Sequence, residues 1–426
     1  MSIYILMALP FSALIRDILI IDLGLIFLTT FKMALLVGGL YFYKHINLHI
    51  ISNKITTPIL KWFLIYNFIL LISTIYSDAI TFSQKINYMF LFTSSIVITY
   101  GLSKKIIMHD YKYYYDKLTK ILILIFFLSL IMSFLQIFVD RHMLSGIGVY
   151  PESIPYISGF NIERLFLCEF LILGIFIILL EKKYNFFLRV TLLLLTISII
   201  YLTGSFTGLL GLLSLLAIPK HILKLKYFIS LMVLVVVSIF YIIPAVNSQV
   251  LTESELYLRE QRTSNYFEDS KEANWRVVSS LVIINNFVTN PTLFGHGFKS
   301  NDKFLSDLYG EYTFKKGASG ESKPVSSHTF VSILYDQGIV GFMIYLILFF
   351  HLTNLIIKIH KKSKYIINKN MYYISRLSIV FAVLFQLRLL FYYQAVNHWN
   401  YLIAIILLNY TVFTILQNKK FHGNYK

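Results

Sequence analysis

The stretch Ser326-Ser327-His328-Thr329-Phe330-Val331-Ser332-Ile333-Leu334-Tyr335-Asp336-Gln337-Gly338-Ile339-Val340-Gly341-Phe342 leads from a long polar segment directly into an apolar run. It closes residues 247–327, the only extended polar region of the chain. Near the end of this region the sequence reads Asn290-Pro291-Thr292-Leu293-Phe294-Gly295-His296-Gly297-Phe298. A membrane protein with one large extramembrane loop usually keeps its function there, because loops tolerate polar groups that lipid does not. We therefore expect functional residues in this loop and at its junction with the next helix.

Composition predicts an all-α polytopic membrane protein. The 426 residues are 57% hydrophobic and only 14% charged, whereas soluble domains carry about 25% charged residues. The mean hydropathy is +0.69. Apolar runs recur that can cross a hydrocarbon core about 30 Å thick. They predict about 12 transmembrane helices at residues 3–22, 23–43, 58–76, 86–102, 119–139, 163–180, 189–203, 205–219, 227–245, 337–357, 372–392 and 398–416.

The net charge of +17 follows the predicted topology. Every second connection between spans is rich in Lys and Arg, and the short connections between those hold only Lys85 and Arg141. This alternation is typical of the positive-inside rule, so both termini are expected in the cytoplasm and the long loop outside. The spans and this alternation together predict three regions. Residues 1–246 contain transmembrane helices 1–9, residues 247–327 form a periplasmic loop, and residues 328–426 contain a short periplasmic helix and transmembrane helices 10–12. Basic residues that orient spans give no reason to expect nucleic acid as a partner.

Several classes of site lack support in the sequence. The single cysteine, Cys168, falls in a predicted span, so we expect neither a disulfide framework nor a cysteine metal site. No Asp-x-Asp pair occurs in an external segment, and we expect no metal or other cofactor. The N-terminus lacks the basic region and cleavage site of a signal peptide. No symmetry between inverted repeats is evident, which argues against a transporter.

Two histidines at the loop are candidate functional residues. His328 follows a serine pair that can cap a helix continuing through Tyr335, after which Gly338 and Gly341 are expected to break it. A histidine in a first helical turn can act as a base near neutral pH, although a capping or packing role is equally consistent with the spacing. His296 lies between two glycines, which predicts a sharp backbone turn beneath a substrate or the membrane surface. Contact between His296 and substrate is the alternative.

The loop itself should contain a helix. It is predicted from Glu253 to about Asn290, where apolar residues recur at helical spacing, and Pro291 should end it. A small helical lid on the membrane face is one interpretation of this segment. The spacing of Gly204 and Gly208, between two predicted spans, would let helices approach closely.

Arginines on the predicted outer side form a second set of candidates, because the guanidinium group suits bidentate contacts with phosphate. The set comprises Arg141, Arg164, Arg259, Arg262, Arg276 and Arg388. Arg388 ranks above the loop arginines because an Arg inside a span is costly and usually paired or functional. Arg376, near the other end of the same span, is expected to extend toward the cytoplasmic surface.

Three segments together resemble the bacterial O-antigen polymerase and ligase superfamily (Wzy and WaaL proteins). Trp275-Arg276 with the run to Gly297 is similar to an Arg-containing helix followed by the family's Pro-x-x-Phe-Gly-x-Gly signature. Ser327-His328-Thr329-Phe330 through Gly341 resembles its His-Asn-x-x-Leu and Gly-x-x-Gly segment, with Thr329 in place of the Asn. Gly159-Phe160-Asn161, followed by Arg164-Leu165-Phe166, resembles the mouth of a middle span.

The resemblance implies a glycosyltransferase that uses undecaprenyl-pyrophosphate-linked sugars at the periplasmic face of the inner membrane. It implies catalytic roles for His328 and Arg276. Candidate substrate-binding residues are then Arg164, Arg388, His296, Arg259, Arg262 and Tyr335. Expected partners are the lipid-linked oligosaccharide, membrane lipid and, as a candidate, a chain-length regulator protein.

Three functions remain open on this basis: O-antigen polymerase, ligase to lipid A core, and a polysaccharide exporter or flippase. Many ligases of the family carry Ser-Arg-Gly near the turn at Gly204, whereas this chain reads Gly204-Ser205-Phe206-Thr207-Gly208. The missing Arg favours the polymerase over the ligase. An exporter needs a polar route through the spans, and few charges lie there.

Overall fold

The computed structural model describes residues 1–15, 20–22, 27–44, 57–108, 111–139, 157, 159–160, 164–181, 184–203, 205–217, 271–309, 314–316, 322–324, 329–363, 366, 368–391 and 398–423. Helices dominate this part of the chain. They are α1 (Ser2–Leu14), α2 (Thr30–Lys44), α3 (Pro58–Tyr76), α4 (Phe82–Met108), α5 (Tyr111–Phe138), α6 (Arg164–Leu180), α7 (Phe186–Leu202), α8 (Phe206–Gly211), a 3₁₀ helix (Leu212–Ala217), α9 (Lys271–Thr289), α10 (Ser300–Tyr309), α11 (Thr329–Ser363), α12 (Lys369–Phe391) and α13 (Trp399–Gly423). Two antiparallel strand pairs complete it: β1 (Ile20–Asp22) with β2 (Phe27–Thr29), and β3 (Phe314–Lys316) with β4 (Ser322–Pro324).

Local signals explain where several helices begin. Pro58 opens α3 because its fixed φ suits the first helical turn, where a missing N–H costs nothing. The side chain of Asn185 caps α7 by accepting a hydrogen bond from the Leu188 N–H (2.7 Å). Ser205 caps α8 in the same way, with its Oγ 3.1 Å from the Gly208 nitrogen. Each cap satisfies a backbone donor that the helix leaves free.

Six described helices are long and apolar enough to cross a membrane, which confirms a multi-pass helical membrane protein. They cover Pro58–Tyr76, Phe82–Met108, Tyr111–Phe138, Thr329–Ser363, Lys369–Leu390 and Trp399–Leu416. Each coincides with a predicted span. Helices α6 and α7, at two more predicted spans, have 17 residues each, fewer than the about 20 that a perpendicular crossing needs. The predicted span at 227–245 lies outside the described residues.

Some predicted spans are wrong in extent. In place of helices over 3–22 and 23–43, α1 ends at Leu14 and α2 begins at Thr30, with the β1–β2 pair between them. Apolar β-branched and aromatic residues flank the predicted turn at Asp22, and such residues favour strands. The predicted span at 205–219 is divided into α8 and the 3₁₀ helix, which begins at Leu212.

The described residues form two compact units. One unit contains residues 1–13, 19–118 and 275–426, and the other contains 14–18 and 119–274. In the first unit, α11 packs against α3 and α12, α12 packs against α13, and α4 contacts α2, α3 and α13. In the second unit, α6 packs against α7 and α8. Every residue of α6 after Arg164 is buried, so α6 is the central helix of its unit.

The prediction that Arg376 extends toward the surface is wrong. Its side chain is 4% exposed, and its guanidinium lies 5.0 Å from the centre of the Tyr372 ring. One guanidinium nitrogen is 2.8 Å from Nδ1 of His360. Arginine can only donate, so this His360 nitrogen must accept. Partners from α11 and α12 therefore hold Arg376 inside the first unit.

Candidate functional site

Helix α11 is broken at Gly338, where φ is 68° and ψ is −169°. The loop 290–298 enters this break and bonds to the backbone on both sides. Four hydrogen bonds form: Ile339 N–H to Thr292 O (3.2 Å), Val340 N–H to Leu293 O (3.0 Å), His296 N–H to Tyr335 O (3.0 Å) and Gly297 N–H to Asp336 O (2.9 Å). A continuous helix would instead bond residues 339 and 340 to the carbonyls of residues 335 and 336. The loop thus provides hydrogen-bond partners for these four backbone groups of α11. We call this arrangement the loop–helix junction.

Glycines are required where the chain approaches most closely. Gly295 and Gly297 have φ values of +78° and +101°, a region that other residues rarely adopt. A Cβ atom on Gly295 would overlap the backbone of Asp336, and one on Gly297 would overlap the backbone of Ser77. The predicted sharp turn at His296 is therefore confirmed. The turn lies directly on α11 and on the end of α3.

Of the two predicted breaks in the helix after Tyr335, at Gly338 and at Gly341, only the first is correct. Gly338 interrupts α11 as expected, but Gly341 lies within its second half and has no positive φ. Gly341 serves packing instead, because a Cβ atom there would overlap the side chain of Gln337.

The Asp336 carboxylate holds the start of α10 against α11. Oδ2 accepts a hydrogen bond from the Lys299 N–H (2.7 Å), and Oδ1 accepts one from the Asn301 N–H (2.8 Å). Asp336 is fully buried. A carboxylate at a helix N-terminus is stabilised by the free N–H groups and by the helix dipole. Lys299, with φ of 66°, is the one non-glycine residue of positive φ within the described ranges, so Asp336 also stabilises a strained backbone.

The end of α3 supplies a third side of the junction. Ser73 donates its hydroxyl to Asp336 O (3.2 Å), and its own carbonyl accepts the Phe298 N–H (3.0 Å). Ser77 donates its hydroxyl to Phe298 O (2.7 Å), and the Tyr76 hydroxyl donates to Phe294 O. These bonds fix the loop to a membrane-spanning helix as well as to α11.

Aromatic contacts surround His296. Its ring centre lies 4.5 Å from that of Tyr335, at an interplanar angle of 31°. Tyr335 is buried in a small apolar cluster with Ile283, Phe287 and Leu305. One side of the His296 ring remains exposed, while partial burial on the other side lowers the pKa of His296 from its usual value of 6.5. His296 is therefore neutral at physiological pH.

Lys299 provides a positive charge beside this turn. Its Nζ lies 5.2 Å from the centre of the Tyr88 ring, a cation–π contact. Burial lowers the pKa of Lys299, but Tyr88 and the carboxylates of Asp302 and Asp336 outweigh that effect and raise it overall. Lys299 thus stays protonated.

The other predicted site residues lie in different places. Arg388 is fully buried in α12, next to Leu389, whose carbonyl accepts the Tyr345 hydroxyl (2.9 Å). The rings of Tyr345 and Tyr66 are 5.6 Å apart, and the Tyr66 hydroxyl is 3.5 Å from Nε2 of Gln337. A buried series of polar side chains therefore links the segment around Arg388 to the junction.

Arg164 is the first residue of α6 and belongs to the second unit. Its guanidinium donates a hydrogen bond to the carbonyl of Thr203, which follows the end of α7 (3.3 Å). Only the backbone of Arg276 is described, in α9. His328, Arg141, Arg259 and Arg262 lie outside the described residues, and α11 begins one residue after His328. Among the described residues, His296 and Tyr335 are the two predicted site residues in direct contact.

Sequence reasoning missed Asp336, Lys299, Ser73 and Ser77. Asp336 carried a usable signal, because a carboxylate beside an apolar run is costly unless it has partners. Ser73 and Ser77 are far from the loop in sequence, and nothing in the sequence pairs them with it. In the described part of the chain, no three His, Cys, Asp or Glu side chains lie close enough to hold a metal ion.

The match to known proteins covers the junction. The fold defines a multi-pass helical membrane protein. Residues 191–346 match the O-antigen ligase family, which confirms the predicted resemblance to the O-antigen polymerase and ligase superfamily. The matched segment includes the loop 290–298, α10 and the break in α11. No curated protein gives a significant match to the chain.

Proposed function

We propose that this protein is an O-antigen polymerase, a glycosyltransferase of surface polysaccharide and lipopolysaccharide synthesis. It transfers an undecaprenyl-pyrophosphate-linked glycan to a sugar hydroxyl of a second lipid-linked repeat unit. The observation that carries the proposal is the family match over 191–346, which includes the loop–helix junction. This junction joins two of the three segments that carry the family resemblance.

The chemistry needs a base and a group that stabilises pyrophosphate. The acceptor hydroxyl attacks the anomeric carbon of the donor, the bond from that carbon to the pyrophosphate oxygen breaks, and His328 accepts the hydroxyl proton. Arg276 neutralises the departing pyrophosphate, with Arg164, Arg388, Arg259 and Arg262 as further candidate contacts. Two arginines can provide this charge without a metal ion.

The junction supports the assignment of His328. It anchors the first half of α11, which begins at Thr329, through the carbonyls of Tyr335 and Asp336. In the sequence, His328 directly precedes this anchored half-helix. The exposed His296 ring lies against Tyr335 of the same half-helix, and an exposed aromatic ring suits stacking with sugar rings.

Activity of the purified protein in proteoliposomes tests these roles. With lipid-linked repeat units as substrate, His328→Ala should reduce polymer formation about 10²–10⁴-fold, the usual contribution of a positioned base. Arg276→Lys and Arg388→Lys should each lose most activity, because Lys lacks the bidentate fork. His351→Ala and Arg189→Lys are the matched controls and should retain it. Normal chains from His328→Ala at wild-type protein level would contradict the base assignment.

The burial of Arg388 calls for a second measurement on its variant. Thermal unfolding of Arg388→Lys separates loss of the fold from loss of substrate binding. An unchanged unfolding temperature with lost activity supports contact with the donor. A lowered unfolding temperature with retained activity contradicts it.

A ligase is the second candidate, because the matching family is described as O-antigen ligase. The acceptor distinguishes the two functions. Polymer should lengthen without lipid A core if the protein is a polymerase, whereas transfer that requires lipid A core would identify a ligase. A chain-length regulator protein is a candidate partner of the polymerase, and its addition should alter chain length without creating activity.

We also propose the complete topology: twelve spans, cytoplasmic termini and a periplasmic loop at 247–327. The alternation of basic connections supports it. A cysteine introduced at Tyr312 or Thr313 should react with a membrane-impermeant reagent in intact spheroplasts, where the reagent reaches only the periplasmic face of the inner membrane. Labelling only after lysis would contradict this orientation.

A further inference from the structure

The surface of α9 has three distinct sides. Ser280, Ile283 and Phe287 are buried against the rest of the first unit. The exposed side is divided lengthwise: Leu281, Ile284 and Val288 are apolar, whereas Asn285 and Thr289 are polar. At 100° per residue, the three apolar residues occupy an arc of about 60°, directly beside the polar pair. On a helix in water these apolar side chains would be exposed to solvent, whereas a helix at a membrane surface buries such side chains in lipid.

The apolar strip continues onto the loop. Leu293 and Phe294 are each 62% exposed, although they lie inside the tightly bonded segment 290–298. Bulky apolar side chains on a rigid turn are not explained by packing, since their backbone is already held by hydrogen bonds to α11 and α3. We call Leu281, Ile284, Val288, Leu293 and Phe294 the apolar strip.

Two membrane-spanning helices lead directly to this strip. On α11, the exposed apolar residues Ile339, Met343, Ile347 and Phe350 follow one face. That face begins where Ile339 and Val340 bond to the carbonyls of Thr292 and Leu293. On α3, the exposed face formed by Phe68, Ile72, Ile75 and Tyr76 ends where the Tyr76 hydroxyl bonds to Phe294 O. A tyrosine at a span end is typical of the membrane–water interface.

We infer that the apolar strip lies among the acyl chains of bilayer lipids, so that α9 is an interfacial helix. The exposed apolar faces of α3 and α11 end at hydrogen bonds to residues 292–294, and Leu293 and Phe294 follow α9 in the chain. The polar pair Asn285 and Thr289 then faces the headgroups and water. This inference depends on the membrane-spanning helices and not on the proposed glycosyltransfer.

A consequence is that the turn at His296 lies at headgroup depth. Only Gly295 separates His296 from Phe294, and only Phe294 and Gly295 separate it from Leu293. If the proposed function is correct, this depth is where a lipid-linked substrate carries its pyrophosphate, so the lipid contact would position the site without binding the sugar.

Site-directed spin labelling in the full-length protein tests the inference. The only native cysteine, Cys168, is buried and should not react, as unlabelled wild type will verify. Single cysteines replace Leu281, Val288 or Phe294, with Asn285 and Thr289 as matched controls on the same exposed side. Phe350 provides the lipid reference and the exposed residue Asp307 provides the aqueous reference.

The labelled proteins are reconstituted in phosphatidylcholine–phosphatidylglycerol vesicles, and collisions with oxygen and with a water-soluble nickel chelate are compared. Labels at Leu281, Val288 and Phe294 should favour oxygen, as at Phe350, whereas labels at Asn285 and Thr289 should favour the nickel chelate. Preference for the nickel chelate at the three apolar positions would overturn the inference. Protection from both agents, with spin–spin broadening that disappears on dilution with unlabelled protein, would show that a second copy covers the strip and would also overturn it.

Discussion

The loop–helix junction and the α6–α8 contact both bring chain segments unusually close, but they do so by different means. At the junction, the backbone of Gly295 lies against the backbone of Asp336, and hydrogen bonds from the next two residues, His296 and Gly297, to the carbonyls of Tyr335 and Asp336 hold the segments together. In the second unit, Gly208 of α8 lies against the side chain of Cys168 in α6, and Gly174 of α6 lies against Phe126. The first contact depends on polar backbone groups, and the second depends on the shapes of side chains. Backbone atoms cannot move aside as side chains can, so the two contacts should respond differently to substitution.

The largest effect is expected for Asp336→Ala. It removes two hydrogen bonds to a buried carboxylate, each worth about 1.5–3 kcal/mol. We expect a loss of about 3–6 kcal/mol in the free energy of unfolding, measured by denaturant titration in detergent. Asp307→Ala, on the exposed side of α10, should stay within about 0.5 kcal/mol of wild type. Equal stability of the two variants would show that the junction is not held by this carboxylate.

Gly295→Ala should have the next largest effect. Its positive φ costs a non-glycine residue about 1–2 kcal/mol, and overlap with backbone typically adds about 1–3 kcal/mol. No substitution at a neighbouring side chain can relieve the overlap, because the atoms concerned belong to the main chain of Asp336. We expect a clear decrease in unfolding temperature, both in the wild-type protein and in variants that carry a second substitution at a nearby side chain. Recovery in a variant of a nearby side chain would contradict this explanation.

Gly208→Ala should cost less and should be partly reversible. The new methyl group would overlap the Cys168 side chain, a cost of about 1–3 kcal/mol, while Ala gains up to about 1 kcal/mol in helix propensity. Removal of the Sγ atom in Cys168→Ala should restore part of the lost stability. A double-mutant cycle measures this coupling directly. Strict additivity of the two substitutions would mean that the helices do not meet there.

The smallest effect concerns the pH dependence of the junction. Burial against Tyr335 lowers the pKa of His296 below 6.5, so the unfolded chain takes up this proton more readily than the folded protein. The stability from neutral His296 is present above pH 6.5 and is lost as the pH falls through the lowered pKa. His296→Phe keeps an aromatic ring but cannot be protonated. Its unfolding temperature should therefore fall less than that of wild type between pH 7 and pH 5, and parallel curves would refute the assignment.

The sequence allowed the prediction of those features that depend on local composition. Span α3 was predicted at its observed limits, because a predominantly apolar run of this length with Pro58 at its start defines a helix by itself. The turn at His296 and the break at Gly338 followed from glycine. The end of α1 at Leu14 was predicted wrongly because apolar residues in a strand pair have the same composition as those in a span. The contacts of Asp336 with Lys299 and Asn301 were missed because they connect positions more than 30 residues apart, and no local pattern encodes such pairing.

The break at Gly338 also separates the settings of the two halves of α11. The second half begins with N–H groups that bond to Thr292 and Leu293, whereas carbonyls near the end of the first half accept the N–H groups of His296 and Gly297. Each half is thus fixed to residues 290–298 at the point where continuous helical bonding is lost. A change in the length of this loop would therefore rotate one half against the other, and with it the side chains that the second half turns toward α3 and α12.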